Sequence, residues 1–171
     1  MRWVVFTGTW RLTNAQVEND VKESVREVLD RGDAIITGGA LGVDLFTMEE
    51  ALLYDLQCVR IKVIIPAKLE TYITHFHRAY KDGRIPEEAF HRLENTLRLI
   101  HHTNSQAVIE LDHEVIDQAA YFARDAQEVK CADEVYAFQV NGSIGTQDTI
   151  DKAVEAGIPV TLHKKYTIEV S

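Results

Sequence analysis

The chain has 171 residues, 46% of them hydrophobic and 26% charged, with a formal net charge of −9, the size and balance of one compact domain with its own core. An acidic surface repels a phosphate backbone, so nucleic acid is not an expected partner, and the nearest thing to a basic cluster is Lys164-Lys165. No apolar run approaches the roughly 18 residues needed to cross a bilayer, and Met1 leads almost directly into a strand, so no membrane association and a cytoplasmic location are expected.

The first element is Arg2 to Thr7. Its continuous run Trp3-Val4-Val5-Phe6 suits a strand buried on both faces, and Gly8 ends it. From about Asn14 to Arg31, Val17, Val21, Val25, Val28 and Leu29 share one helical face, and Gly32 is a stop signal. A short strand, Ala34 to Thr37, runs straight into Gly38-Gly39-Ala40-Leu41-Gly42-Val43-Asp44, and a helix follows to about Gln57. Val59 to Ile65 is the third strand, closed by Pro66. This strand–helix alternation predicts parallel strands joined by right-handed crossovers, in a three-layer Rossmann-like α/β sandwich with helices on both faces of a mostly parallel sheet.

Residues 67–104 read as a helical insertion. Two helices flank the turn Lys81-Asp82-Gly83-Arg84-Ile85-Pro86, and Phe90, Leu93, Leu97 and Ile100 form an apolar stripe on the second. The pair is longer than a minimal crossover. It serves as a pocket wall, a dimer face or a plain covering layer. Ala107 to Leu111 is the next strand, and a long helix is expected from about His113 to Lys130. The strand Glu134 to Gln139 leads into Asn141-Gly142-Ser143-Ile144-Gly145-Thr146, and a helix then runs through Ala156 to Gly157. Ile158 to Leu162 opens the last main strand, with Tyr166 to Val170 as an added edge strand. With no linker or repeat, residues 1–171 are expected to form a single domain.

Two glycine-rich loops each join a strand to a helix. The first turn of a helix carries unpaired N–H donors and the positive end of the helix dipole. Glycines let a ligand approach the backbone, and the combination suits phosphate. Gly38, Gly39, Ala40, Gly42 and Asp44 form one candidate site; Gly142, Ser143, Gly145 and Thr146 form a second; Gly8 and Thr9 add a third turn. In an open parallel sheet all three lie at the carboxyl edge, where ligands bind. Such turns also serve purely steric ends. Neither loop has a Walker A lysine or the G-x-G-x-x-G spacing, so neither an NTPase nor an ordinary NAD site is expected.

On the expected long helix, Val115, Ala119, Phe122, Ala126 and Val129 mark the buried face. That places Arg124 about half a turn away, pointing from the core centre toward a ligand phosphate or toward a surface partner, Glu128.

The run Ile36-Thr37-Gly38-Gly39-Ala40-Leu41-Gly42-Val43-Asp44 resembles the glycine motif of the SLOG superfamily, which includes LOG proteins (the "lysine decarboxylase-like" family) and DprA-like Rossmann-fold nucleotide binders. Tyr121-Phe122-Ala123-Arg124-Asp125 and Ala132-Asp133 before an apolar strand are similar to that group's arginine helix and the strand after it. Gly142-Ser143-Ile144-Gly145-Thr146 resembles its G-G-x-G-T motif, and Val5-Phe6-Thr7-Gly8-Thr9 its first glycine turn. The resemblance implies a nucleotide or nucleotide-derived, phosphate-bearing ligand, no separate cofactor, and a homodimer. It also implies two further functions: LOG-like hydrolysis of the N-glycosidic bond of nucleoside 5′-monophosphates, and DprA-like handling of single-stranded DNA. For hydrolysis the family pairs an arginine with the glutamate of G-G-x-G-T-x-x-E. Arg124 matches the arginine, but Thr149 stands at the glutamate position and Ser143 replaces a glycine. Asp148, one residue earlier, is the candidate catalytic carboxylate, with Asp44 a second; Asp44 also suits capping at a helix start.

Trp10 and Arg11 could stack on a base and bind phosphate, or simply pack at the surface. His75 and His77, and the adjacent His101 and His102, lack the partner spacing of a metal site. Cys58 and Cys131 lie far apart and are expected to be reduced.

Overall fold

The structure, a computed structural model, describes residues 1–170. Six strands form one sheet in the order β4-β3-β2-β1-β5-β6, and every neighbouring pair is parallel. They are β1 (Trp3–Gly8), β2 (Ala34–Thr37), β3 (Ile61–Ile65), β4 (Val108–Glu110), β5 (Glu134–Val140) and β6 (Val160–Tyr166). The helices are α1 (Ala15–Asp30), α2 (Val43–Tyr54), α3 (Leu69–Lys81), α4 (Glu87–Thr103), α5 (Gln118–Cys131) and α6 (Ile144–Glu155). Asn14 starts α1 by accepting the Val17 amide at 3.0 Å, as a helix N-cap should.

The strands alternate their side chains between two cores, as a pleated sheet must. Val4, Phe6, Ile35, Val63, Ile65, Tyr136 and Phe138 face α1 to α4. Val5, Ile36, Ile64 and Val135 face the thinner layer of α5 and α6, with Val129 and Ala153. The helical insertion is part of the thick layer: Phe90, Leu93, Leu97 and Ile100 of α4 are at most 3% exposed.

Two elements differ from the sequence reading. Among the described residues no strand follows Tyr166. β6 pairs with β5 as far as Val140↔Tyr166, where β5 ends, so later residues have no ladder to join. Asn141 instead holds Ile168 by two hydrogen bonds of 2.8 and 3.0 Å. The second difference is in α5, which begins at Gln118 rather than His113, where the Asp117 carboxylate accepts the Ala120 amide at 2.9 Å. Val115 is therefore outside the helix and 69% exposed. The inner face of α5 is Ala120, Asp125, Glu128 and Val129.

Candidate functional site

The strand order reverses between β1 and β5. From β1 the chain winds outward through β2 and β3 to β4, while β5 and β6 lie on the other side. α1, which follows β1, packs in the thick layer, and α6, which follows β5, lies in the thin one. This is the topological switch point, and the region beyond the carboxyl ends of β1 and β5 is the position where open α/β sheets bind ligands. Gly8 at the end of β1 is in register with Phe138, and Thr9 is tied to the end of β5: its hydroxyl accepts the Val140 amide at 2.9 Å.

The first glycine loop, residues 38–42, is filled by protein. A Cβ on Gly39 would stand 2.8 Å from Ile65 and 2.9 Å from Val63. A Cβ on Gly42 would overlap the Thr9 carbonyl and lie 2.5 Å from Trp10 Cα, and the Val43 amide bonds the Thr9 carbonyl at 3.2 Å. A Cβ on Gly38 would overlap the Arg124 guanidinium and lie 2.9 Å from Asp44 Oδ2. Gly8 is enclosed in the same way by Val43 and the Phe138 carbonyl.

Arg124 points inward, not away from the core as its helical position suggested. Its Nη1 donates to the Gly38 carbonyl at 2.7 Å and its Nε to Asp125 Oδ1 at 2.9 Å. Glu128 Oε2 lies 3.9 Å from Nε, and this pair is sealed in the interior rather than displayed on the surface. Asp44 completes the enclosure, accepting the Ala40 amide at 3.2 Å. One cation thus serves several buried carboxyls. Burial pushes the Asp44 and Glu128 carboxyls up from their ordinary range, against the pull of Arg124. The same penalty, opposed by Arg124, raises Asp125 to about 6, and contact with the Asp148 carboxyl pushes in the same direction. Tyr72, which reaches this region from α3, is fully buried with an unpartnered hydroxyl.

The second loop, residues 141–146, is open. A Cβ on Gly142 or Gly145 would meet nothing within 4 Å. Asn141 and Gly142 both have positive φ, 49° and 64°, which turns the chain sharply into α6. Ser143 caps α6: its hydroxyl accepts the Thr146 amide at 3.4 Å and pairs with the Thr146 hydroxyl at 2.8 Å. The amides of Ile144 and Gly145 begin the helix and have no acceptor within it. Trp10, whose backbone packs on Gly42 of the first loop, is 38% exposed, with the Arg11 guanidinium over its ring at 4.6 Å from the centre. Thr149, at the family's glutamate position, is buried and near the Thr7 hydroxyl at 3.4 Å. Asp148 pairs with Lys152 through Oδ1, and its Oδ2 is sealed from solvent without a donor.

The sequence-derived residues thus separate into two groups. Gly38, Ala40, Asp44 and Arg124 pack on one another and Gly39 packs on Val63 and Ile65, whereas Gly142 and Gly145 border open space and Ser143 caps α6. Asp125, Glu128 and Tyr72 are the site-forming residues that the sequence reading did not weigh as such. Only their spacing around Arg124 hinted at them. Defined clefts of about 320 and 360 Å³ lie elsewhere, one lined by Lys68, Arg98, His101 and Glu110, the other between α5 and α6. Cys58 and Cys131 are free thiols. Among the described residues, no helix is long and apolar enough to cross a membrane.

The all-parallel sheet, its switch point and its glycine turns define a three-layer Rossmann-like fold. No family model matches the chain, and no curated protein is similar to it in sequence. Among solved structures it is similar to DNA processing protein A from Helicobacter pylori, described for its single-stranded DNA binding mode, with a TM-score of 0.64 at 19% identity over 99% of this chain and 66% of that one. DNA processing protein A (DprA) from Streptococcus pneumoniae gives 0.59 at 18% identity, over 99% of this chain and 51% of that one. A structural-genomics target designated TM1055 gives 0.53 at 19% identity, over 94% and 72%. The chain therefore spans about two thirds and one half of the two DprA chains. The expectation that nucleic acid is no partner is corrected by these likenesses. A protein of the same fold binds single-stranded DNA, so the fold is compatible with that ligand. A net charge of −9 is a sum over the whole surface and does not set the field at one place on it.

Proposed function

We propose that the region beyond the carboxyl ends of β1 and β5 binds phosphate-bearing nucleotide units, free or within a single strand. The amides at the head of α6 take a phosphate, Trp10 offers its indole face to a base, and Arg11 supplies a cation beside it. The observation that carries this reading is the open second loop at the topological switch point, where Gly142 and Gly145 leave the backbone uncovered. Binding is favoured over glycosidic hydrolysis because both groups of the hydrolase pair are committed to protein. Arg124 is held by Gly38 and Asp125, and Asp148 by Lys152.

Quenching of Trp10 fluorescence by AMP and by an oligothymidylate tests the proposal, with Trp10→Phe as the control for the signal of Trp3. Gly145→Asp places a carboxylate in open space in the first helical turn, where the fold tolerates an acid but a phosphate does not. The expected outcome is normal folding with at least a tenfold loss of affinity. Undiminished binding by this variant would move the phosphate off the head of α6.

A further inference from the structure

We infer that the apolar turn at the end of α2, with the adjoining face of α4, is the surface by which two copies of this chain pair. The inference is independent of the nucleotide reading above. Leu53, Tyr54, Leu56 and Val59 all fall within residues 53–59 and are 47–73% exposed. Large apolar side chains exposed elsewhere, such as Val115, Ile144 and Val154, are well separated along the chain. Single exposed apolar residues are ordinary, but a contiguous group of them marks an interaction surface. This group sits on a built turn. The buried Asp55 carboxylate accepts the Val59 amide at 3.2 Å and the Arg60 amide at 2.7 Å, and the Asp55 carbonyl accepts the Cys58 amide at 3.0 Å. The Cys58 carbonyl accepts Asn104 Nδ2 at 2.8 Å, which ties the turn to the end of α4.

The surface continues onto α4. Arg92 donates two hydrogen bonds to Glu49, of 2.6 and 3.2 Å, and Asn104 meets Cys58 further on, so α2 and α4 run side by side in the same direction. Leu53 lies one turn beyond Glu49, and Leu99 two turns beyond Arg92, on the same helix faces. Leu99 is also exposed and extends the apolar surface along the α2–α4 seam. Charge then selects the occupant. Residues 51–59 and 99–109 contain a single Asp, Glu, Lys or Arg, the buried Asp55, in a chain of which 26% is charged. The next cation, Arg60, is turned inward to the Leu29 and Asp33 carbonyls. A partner of opposite charge finds no counterpart on such a face. Two copies of this chain, each with a net charge of −9, repel where their charged faces meet. Here they meet with no like charges opposed and remove apolar area from water. Twofold pairing sets the same patch against itself, and a neutral apolar patch is self-complementary in charge.

Sedimentation equilibrium of the whole chain, from about 5 to 500 μM, tests this. The expected result is a monomer–dimer equilibrium whose Kd falls severalfold as NaCl rises from about 50 to 500 mM, because salt screens the repulsion and leaves the apolar contact intact. Leu56→Glu and Leu53→Gln change side chains that are mostly in solvent in the monomer, so the fold should tolerate them, as circular dichroism will show. Each should raise Kd about tenfold or more, since a substitution enters a twofold interface twice. Val154→Glu, at a similarly exposed position on α6, should leave Kd unchanged. A chain that stays monomeric across the whole range overturns the inference and leaves this face to a different protein. A dimer that neither leucine variant weakens also overturns it, because the contact then lies on another face. So does a dimer that salt dissociates, because ion pairs would then hold it together.

Discussion

The two glycine loops share a signature in sequence and part company in space. Residues 38–42 use the absence of Cβ to let protein approach: Arg124, Val63, Ile65 and the Thr9–Trp10 backbone occupy the room the glycines leave. Residues 141–146 use it to leave the backbone bare at the head of α6. A glycine therefore says that something comes close to the main chain, and only the neighbours say whether that is the protein itself. The packed loop sets the stability of the carboxyl edge, and the open loop is where a ligand has access.

The most direct way to break this comparison is Arg124→Ala. If the arginine is a clamp on the packed loop, its loss strips the Gly38 carbonyl of its donor and leaves Asp44, Asp125 and Glu128 without their cation. Removing one partner of a buried ion pair costs about 3–5 kcal/mol, and urea denaturation should show a loss of that order. A loss below about 1 kcal/mol would mean that the guanidinium is free to serve a ligand. Gly42→Ala comes next. Its φ of 68° is unfavourable for any residue with a side chain, and the new Cβ would overlap the Thr9 carbonyl. Strain and overlap together should lower stability by about 2–3 kcal/mol in the same assay.

The fold was legible because burial follows the strand period. The alternation of Val4, Val5 and Phe6, and the apolar stripe of α4, are hydrophobic patterns that survive folding unchanged. The loops' position at the carboxyl edge followed from topology alone. What could not be read was the inner face of α5. A hydrophobic pattern assigns charged residues to the outside, yet Asp125 and Glu128 are 3% and 2% exposed. They are tolerated there because they surround Arg124 and because their carboxyls can hold protons. The pattern through Val115, Ala119 and Phe122 consequently placed the helix start too early and turned Arg124 the wrong way. The tail after Tyr166 failed for another reason: its residues alternate like a strand, but β5 ends at Val140 and offers no partner.

A smaller effect separates the buried cluster from ordinary surface acids. The Asp125 carboxyl is raised from 3.8 to about 6 in the folded chain, so the folded state holds this proton more tightly than the unfolded state. The stability it contributes is therefore present below about pH 4 and is lost as pH rises through about 6. Because the titration is coupled to that of the neighbouring Glu128 carboxyl, the loss for wild type relative to Asp125→Asn should be about 1–2 kcal/mol between pH 4 and 7. Urea midpoints across that range measure it, and a stability difference that stays flat would place Asp125 among solvated acids.

The smallest effect sharpens the comparison most, because its sign is opposite in the two loops. Gly145 is helical and its Cβ position is empty, so Gly145→Ala removes backbone freedom from the unfolded chain without a clash in the folded one. The expected gain is about 0.4–1 kcal/mol, where alanine at Gly42 costs several times as much. The same methyl stands beside the amides assigned to phosphate, so oligothymidylate affinity should fall severalfold even as the midpoint of unfolding rises. Stability and binding moving in opposite directions is what a site held open for a ligand requires; if both rise together, the bare backbone at the head of α6 has no ligand to lose.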